Sequence, residues 1–265
     1  MNKLSFFLLM LIVVMSACKK SGSDNNTPVL DGKNCKMLTM SNSMNSYSSL
    51  GCFYYDDYGK LLYTMGVDST GDTTIGTQYK YQGNILQYSF FSSNINFSDT
   101  VFYFYSGSNK LESKLENIRT SSTFLSTSTN FFYNSAGQVV HTLARSTMNT
   151  IFSKVDSTIY TYTGNNVTHY TLFERTGYGS VFSVTIDISY DTMKNFYKAM
   201  GMPPDAFYFW SENNMTQAKY ADSTNVLTTF VYSKYNASGY PTEYTQTDNY
   251  GSQSPITSVM TYQCK

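Results

Sequence analysis

Short runs rich in aromatic and β-branched residues recur along most of the chain. Clear examples lie at 101–105, 158–162, 184–190 and 230–235, and each is followed within two residues by Ser, Gly, Asp or Asn. Aromatic and β-branched residues suit the pleated surface of a sheet, and the small polar residues favour turns. The pattern therefore predicts a series of β-strands separated by tight turns.

The predicted strands end in a common pattern of an aromatic residue, a polar turn and an aliphatic residue. Residues 53–61 have the sequence Phe-Tyr-Tyr-Asp-Asp-Tyr-Gly-Lys-Leu, and residues 131–139 have Phe-Phe-Tyr-Asn-Ser-Ala-Gly-Gln-Val. In each copy Asp or Asn opens the turn and Gly takes the left-handed position. The repeat predicts about eight β-hairpins in series and one closing strand at 259–264. The tyrosines that mark the copies are Tyr55, Tyr81, Tyr105, Tyr133, Tyr162, Tyr190 and Tyr235, with Trp210 inside the last gap.

Hairpins joined in series form an antiparallel meander, which curls because its strands twist. We predict a single all-β domain at 34–265, whose sheet either closes on itself or coils into a solenoid-like roll. The pattern is interrupted at 191–202, where apolar residues recur at helical spacing before Pro203. One short helix is expected there.

The first 33 residues have a different pattern. Lys3 precedes an apolar stretch at 4–15, and small residues precede Cys18. The stretch is shorter than the roughly 20 residues of a transmembrane helix, so we predict an export signal peptide at 1–17. Polar residues then fill most of 18–33, as expected for a flexible tether.

Residues 14–18 resemble the lipobox of bacterial lipoproteins, with Met15 where Leu is usual. The resemblance implies that Cys18 carries the lipid anchor after cleavage. Several acyl chains hold a protein firmly to a bilayer. We therefore expect an exported protein anchored to the cell envelope, at the outer membrane. Either the periplasmic or the surface face is compatible with the sequence.

Composition supports a sheet and excludes two classes of partner. Aromatic residues are 17% of the chain and charged residues 14%. The predicted signal peptide holds one Lys and no acid, so 17 basic and 18 acidic residues remain, a net charge of −1. This balance gives no electrostatic basis for binding nucleic acid or anionic headgroups.

Cysteine use fits an oxidising compartment. Lipidation of Cys18 would leave Cys35, Cys52 and Cys264 to form at most one disulfide. A Cys35–Cys52 bond would staple the first hairpin, whereas a Cys35–Cys264 bond would require the ends of the sheet to meet. The thiols and the two histidines are scattered, so we predict neither a metal site nor a cofactor.

No catalytic motif is present in the sequence. His141 and His169 fall in predicted strands, where surface positions are the simpler interpretation. Two pairs of acids, Asp56 with Asp57 and Asp187 with Asp191, could in principle serve a glycosidase, but the first pair lies where a hairpin turn favours acids. We therefore predict that the protein is not an enzyme.

Aromatic runs at 102–105 and 207–210 would send rings to both faces of a sheet. One face forms the core, and the other holds either cross-strand ladders or an exposed platform for stacking a ligand. Trp210, the sole tryptophan, and its neighbour Tyr208 are the candidate stacking residues.

The repeated Phe-x-Tyr-Asp-x-x-Gly-x-Leu pattern resembles the YD repeat, and the layout of the chain is similar to that of Bacteroidetes-type surface lipoproteins of unknown function. This resemblance implies a hairpin architecture and brings no catalytic residues. The matching positions are Cys18, Cys35, Tyr55-Asp56, Tyr190-Asp191 with Asn195, and Tyr262-Gln263-Cys264.

Three functions fit these observations. A binding or scaffold lipoprotein, with a glycan or protein ligand, agrees best with aromatic repeats that lack a catalytic motif. A glycan hydrolase would need two carboxylates facing one cleft, about 5 to 10 Å apart. A purely structural envelope component would need neither an exposed aromatic platform nor a pair of carboxylates in a cleft.

Overall fold

The computed structural model of the protein describes residues 35–264 except 45–46, 68–69, 71–72, 94–96, 150, 178, 204 and 250–253. The predicted signal peptide, Cys18 and the tether lie outside the described residues. The strands are β1 (Cys35–Met44), β2 (Tyr47–Tyr55), β3 (Leu61–Val67), β4 (Thr73–Gln82), β5 (Ile85–Ser93), β6 (Phe97–Tyr105), β7 (Leu111–Arg119), β8 (Phe124–Tyr133), β9 (Val139–Met148), β10 (Ile151–Thr163), β11 (Asn166–Thr176), β12 (Val181–Lys194), β13 (Asn213–Tyr220), β14 (Val226–Tyr235), β15 (Pro241–Asp248) and β16 (Ile256–Cys264). The helices are α1 (Phe196–Met200) and α2 (Phe207–Trp210).

The strands form a closed antiparallel barrel in which each strand pairs with its neighbours in sequence and β1 pairs with β16. The predicted all-β meander is confirmed, and of the two shapes considered the sheet adopts the closed one. At the seam Cys35 lies opposite Cys264, and the two form a disulfide. Closure pairs both edges of the sheet, which would otherwise expose unpaired backbone groups.

Because successive strands run in opposite directions, the turns that follow even-numbered strands lie at one end of the barrel and the loops that follow odd-numbered strands lie at the other. The disulfide end holds Cys35, Cys264, the turns that follow even-numbered strands, and both helices, which lie between β12 and β13. The loops that follow odd-numbered strands lie at the far end. Neither α1 nor α2 has the length and hydrophobicity to cross a membrane.

The repeated turns at the disulfide end share one hydrogen-bond pattern. In the first, Asp56 N–H donates to the Lys60 carbonyl at 2.9 Å and Gly59 N–H to the Asp56 carbonyl at 3.0 Å. Gly59 has φ +88°, a left-handed conformation that glycine adopts without steric cost. The pattern recurs in the turns that begin at Ser106, Asn134 and Asn236. The turn residues of the repeat thus act as hairpin connectors.

Within the described strands, six tyrosines near the disulfide end connect their strand to the strand before it. The Tyr133 hydroxyl donates to the Leu111 carbonyl at 2.6 Å, and Tyr162 donates to the Val139 carbonyl at 2.9 Å. The tyrosine repeat therefore has a physical basis at these positions, since the ring anchors the backbone of the preceding hairpin. In β14 this contact is made by Tyr232, whereas the repeat tyrosine Tyr235 donates to Asp191. The same contact is made by Tyr55 to Met37, Tyr190 to Val167, Tyr232 to Met215 and Tyr262 to Pro241.

Tyr162→Phe tests this contact, because it removes the hydroxyl and leaves the carbonyl of Val139, a residue only 4% exposed, without its donor. We expect the free energy of unfolding to fall by about 1 kcal/mol, measured by urea denaturation. Tyr88→Phe, on the outer face with 36% of the side chain exposed, is the matched control and should change stability by much less. Equal effects of the two variants would show that the contact contributes nothing specific.

Helices α1 and α2 and the segment between them fill the disulfide end from inside. Phe196 is 1% exposed and packs against rings from β14 and β15, and Trp210 packs against Phe131 of β8. Asn195 caps α1 by accepting from Tyr197 N–H at 2.9 Å, and its amide donates to the carbonyls of Tyr208 and Ser211. One buried side chain therefore holds α1 against the turn that contains α2.

Two details of the predicted secondary structure need correction. The helix expected at 191–202 covers only Phe196–Met200, because 191–194 continue β12 and Lys194 pairs with Asn213 of β13. The aromatic run at 207–210 is one helical turn instead of a strand. The side chain of Asn195 satisfies the backbone of this turn, and the packed interior accommodates its rings.

Candidate functional site

The interior of the barrel has two regions. At the disulfide end it is filled by buried apolar side chains such as Leu61, Leu111 and Val139, together with the helices. Towards the far end the inner faces of the strands carry hydroxyl groups and charges, beside which the structure contains open cavities. The candidate site is therefore inside the barrel, between the helical segment and the far end.

The first cavity, which we call the aromatic–acid cavity, has a volume of about 270 Å³. Strands β4 to β6 contribute the rings of Tyr79, Phe91, Phe97 and Tyr103, and the segment between the helices forms the floor. Two carboxylates line it, Asp99 from β6 and Asp205 from the floor. Aromatic walls with a few polar groups are typical of small-molecule sites.

Asp99 is the electrostatically unusual group of this cavity. Burial, then the charge of Glu116 on β7, raises the pKa of Asp99 from 3.8 to about 6, and Lys114 offsets this only in part. The Oδ1 atom of Asp99 is buried and has no hydrogen-bond partner within the described part of the chain. An unpaired buried oxygen is costly, so a ligand that donates a hydrogen bond to it would be favoured.

The floor is held to the wall by a partly buried ion pair. Lys114 Nζ lies 2.9 Å from Asp205 Oδ2 and 4.0 Å from Glu116 Oε2. Burial lowers the pKa of Lys114, but the charge of Asp205 and their hydrogen bond outweigh it, so the pKa is raised. Lys114 therefore stays charged and orients Asp205 beside the cavity.

Further round the wall, a second lysine bridges two strands. Lys154 Nζ lies 2.8 Å from Asp156 Oδ2 and 2.9 Å from Glu174 Oε2. The inner face of β9 and β10 adds hydroxyl groups from Thr142 and Ser146. This part of the interior is hydrophilic and separates the aromatic–acid cavity from a second one.

The second cavity, which we call the aliphatic cavity, has a volume of about 490 Å³. Strands β11 to β15 line it, with Leu172, Val184 and Ile186 among its apolar side chains and Thr228 and Asp248 as its hydroxyl and carboxyl groups. The two cavities thus differ chemically, because aliphatic side chains line the second one together with the rings of Tyr170, Phe182 and Tyr220, whereas rings and two acids dominate the first.

The two candidate stacking residues lie inside the barrel, not on an outer platform. Trp210 meets Phe131 and Tyr160 edge-to-face, with centroids 6.3 and 5.1 Å away. Tyr208 packs against Tyr197 and Phe209, and burial followed by the charge of Asp205 raises its pKa. Trp210 therefore packs inside the barrel against β8 and β10, where its fluorescence reports on the interior.

The structure does not bring the other sequence candidates together. His141 stacks on Phe132, with centroids 4.9 Å apart, and His169 Nδ1 donates to the Asp187 carboxylate at 2.8 Å, both on the outer face. Asp191 lies at the disulfide end, where it accepts from the Tyr235 hydroxyl. Cys52 is buried in β2. Among the described residues, no group of three His, Cys, Asp or Glu could hold a metal ion.

Sequence reasoning missed the acids of the interior, although one signal was available. Asp99 lies in phase with the apolar positions Val101 and Tyr103, and a charge in phase with core residues marks a polar group on an inner face. Asp205 has no such signal, because it belongs to an irregular segment between two short helices. Only the packing of that segment into the barrel places it near Asp99.

The outer face combines exposed aromatic residues with charges. Phe104 of β6 is 49% exposed, and Phe90 of β5 is 38% exposed. Arg145 is exposed beside the buried inward Ser146, and Lys219 of β13 lies opposite Asp187 of β12. Charged side chains therefore occur along the strands, not only at their ends.

Comparison with known proteins supports the fold only. No protein-family model and no curated protein matches the chain. A solved structure of a porin-like protein from Bacteroides vulgatus ATCC 8482 aligns with a TM-score of 0.58 at 13% identity, covering 87% of this chain and 99% of that one. A porin-like protein from Bacteroides uniformis ATCC 8492 aligns with a TM-score of 0.54 at 10% identity, covering 87% and 97%. The chain is similar to these proteins in barrel architecture.

Proposed function

We propose that the protein is an extracytoplasmic lipoprotein, anchored through Cys18, that binds a glycan in its aromatic–acid cavity. The observation that carries the proposal is the joint placement of four aromatic rings and two carboxylates around one interior cavity. Aromatic faces match the C–H faces of a sugar ring, and carboxylates accept hydrogen bonds from its hydroxyl groups. The volume suits one or two sugar units.

The chemistry of the outer face supports attachment through a lipid rather than insertion of the barrel. A membrane-spanning barrel presents an apolar band to lipid, and Arg or Lys near the bilayer midplane costs about 2–4 kcal/mol. Here Arg145 projects outward from within β9, and Asp187 projects outward from the middle of β12. In this proposal the barrel lies in water beside an envelope membrane, most simply the outer membrane, and Cys18 holds it there.

The first test is titration of residues 19–265, which contain the whole barrel, with a panel of bacterial, plant and host glycans. Trp210 is the sole tryptophan, so its fluorescence reports on the interior, and calorimetry gives the affinity. We expect saturable binding of one glycan class. Asp99→Asn should weaken it about tenfold or more, because a charge-assisted hydrogen bond is lost. Asp222→Asn, in an exposed loop, is the control and should bind normally.

The same titration should depend on pH in a defined direction. Glu116, Lys114 and Asp205 face Asp99, whose pKa is about 6, so the carboxylate acceptor is lost as the pH falls through 6. Affinity should therefore weaken between pH 7 and pH 5, and Asp99→Asn should flatten this dependence. Binding that is absent across the panel, or unaffected by Asp99→Asn, would contradict the proposal.

A second candidate is a glycan hydrolase, favoured by the raised pKa of Asp99 beside the acid Glu116. A carboxyl group whose pKa is raised towards 6 can act as a general acid at mildly acidic pH, with a neighbouring carboxylate as its partner. Release of reducing sugar from the bound glycan would support this function. Binding without any product would favour the binding module.

A further inference from the structure

The aliphatic cavity is an apolar space of ligand size that the packing of the barrel leaves unfilled. Its volume, about 490 Å³, lies within the range of about 300 to 1,000 Å³ typical of small-molecule sites. Leu172, Val184 and Ile186 form its wall, and Phe182, which also lines it, is 57% exposed. Exposed apolar surface inside a concave site gains free energy when an apolar ligand covers it.

One side of this cavity is polar. Thr228 and Asp248 lie opposite each other on β14 and β15. The carboxylate of Asp248 accepts from Gln246 Nε2 at 2.9 and 3.1 Å, and these are neutral donors. Thr228 Oγ1 is buried without a hydrogen-bond partner in the part of the chain that the structure describes. An apolar wall thus ends at a carboxylate that forms no ion pair with a lysine or arginine of the described strands.

The charge of the interior favours a cationic ligand. Within the described strands and the helical segment, six carboxylates and two ammonium groups face the interior. The lysines are Lys114 and Lys154, each paired with acids. A concave site with low-dielectric walls focuses such an excess of negative charge and attracts cations. The carboxylates are Asp99, Glu116, Asp156, Glu174, Asp205 and Asp248.

The cavity also has a route to the far end. A neighbouring cavity of about 540 Å³ shares Tyr220 and Leu227 with it and continues to Asn225 and Asn249 in the loops that follow β13 and β15. A ligand could therefore enter from the far end without moving the helical segment at the disulfide end.

We propose that the aliphatic cavity binds a cationic amphiphile, an apolar chain or ring system that carries one ammonium group. The apolar body lies against Leu172, Val184 and Ile186, and the ammonium group donates to Asp248. This site is separate from the aromatic–acid cavity, and its ligand does not depend on the glycan proposed there.

The test uses residues 19–265 and the neutral dye N-phenyl-1-naphthylamine, whose fluorescence increases in apolar surroundings. Decylamine, decanol and decanoate, which share one chain length, compete for the dye at pH 7. We expect decylamine to displace it at a concentration about tenfold or more below that of decanoate, with decanol between them. Equal potency of the three compounds would overturn the charge assignment.

Two variants locate the site. Asp248→Asn should retain dye binding but remove the preference for decylamine, whereas Asp222→Asn in the loop at the same end should preserve it. Val184→Phe should weaken dye binding at least fivefold by filling the cavity, while Val231→Phe, on the outer face with Val231 60% exposed, should not. Thermal unfolding checks that each variant is folded. Unchanged dye binding in Val184→Phe, or an unchanged preference in Asp248→Asn, would overturn the proposal. A failure to bind glycan in the aromatic–acid cavity would not contradict this proposal, because the two cavities are separate.

Discussion

Replacing Cys35 and Cys264 together with serine is expected to lower the free energy of unfolding by about 2–5 kcal/mol. The disulfide joins residues 229 positions apart and holds β1 against β16, the one seam formed by strands that are remote in sequence. Without it, the unfolded chain gains conformational freedom, and the seam depends on strand pairing alone. Urea denaturation at pH 7 measures the difference.

The matched control for this prediction is Thr261→Val at the same seam. Thr261 shares an exposed hydrogen bond of 2.6 Å with Thr39 across the two strands. Its loss should cost about 1 kcal/mol or less. If the serine variant were no less stable than Thr261→Val, the strand pairs of the seam, not the disulfide, would keep the barrel closed.

The second large effect is expected for Asn195→Ala, which should destabilise the protein by about 3 kcal/mol. Asn195 is 3% exposed and caps α1 through Tyr197 N–H, while its amide donates to the carbonyls of Tyr208 and Ser211. Loss of a cap costs about 0.5–2 kcal/mol. Each buried carbonyl left without a donor costs up to about 3 kcal/mol more. Denaturant unfolding provides the measurement.

Asn195→Asp separates the two roles of this side chain. The aspartate keeps the acceptor that caps α1 but loses both donors to the carbonyls. We expect Asn195→Asp to lower the free energy of unfolding, but by less than Asn195→Ala does. Because Asp205 lies in the segment that Asn195 holds, Asn195→Ala should also weaken glycan binding in the aromatic–acid cavity. Normal stability of Asn195→Ala would mean that packing alone keeps the helices inside the barrel.

The aromatic–acid cavity and the packed end of the barrel depend on each other. The helical segment that closes the disulfide end also supplies Asp205, which Lys114 orients from β7 at 2.9 Å. The floor of the aromatic–acid cavity is thus made by the one part of the described chain that departs from the hairpin repeat. We therefore expect variation in this segment to change the ligand more than variation in the hairpins.

The sequence alone was sufficient to predict most of the strands and their order, because the interactions that define them are local. Side-chain alternation, turn glycines such as Gly59 and tyrosines such as Tyr162 act between residues that are close in sequence or one hairpin apart. These local interactions repeat in every hairpin, so a repeat in the sequence implies the meander. The existence of a short helix within 191–202 followed from local spacing in the same way, although its start at Phe196 did not.

Closure, the choice of inner and outer faces, and the site were decided only by tertiary structure. The seam joins Cys35 to Cys264 across nearly the whole domain, and no local pattern specifies such a contact. Aromatic residues occupy both faces of the sheet, so the alternation alone does not identify the interior. Asp205 reaches the cavity because a segment of the run 195–212 folds inward, where buried amide contacts from Asn195 outweigh the strand preference of its aromatic residues.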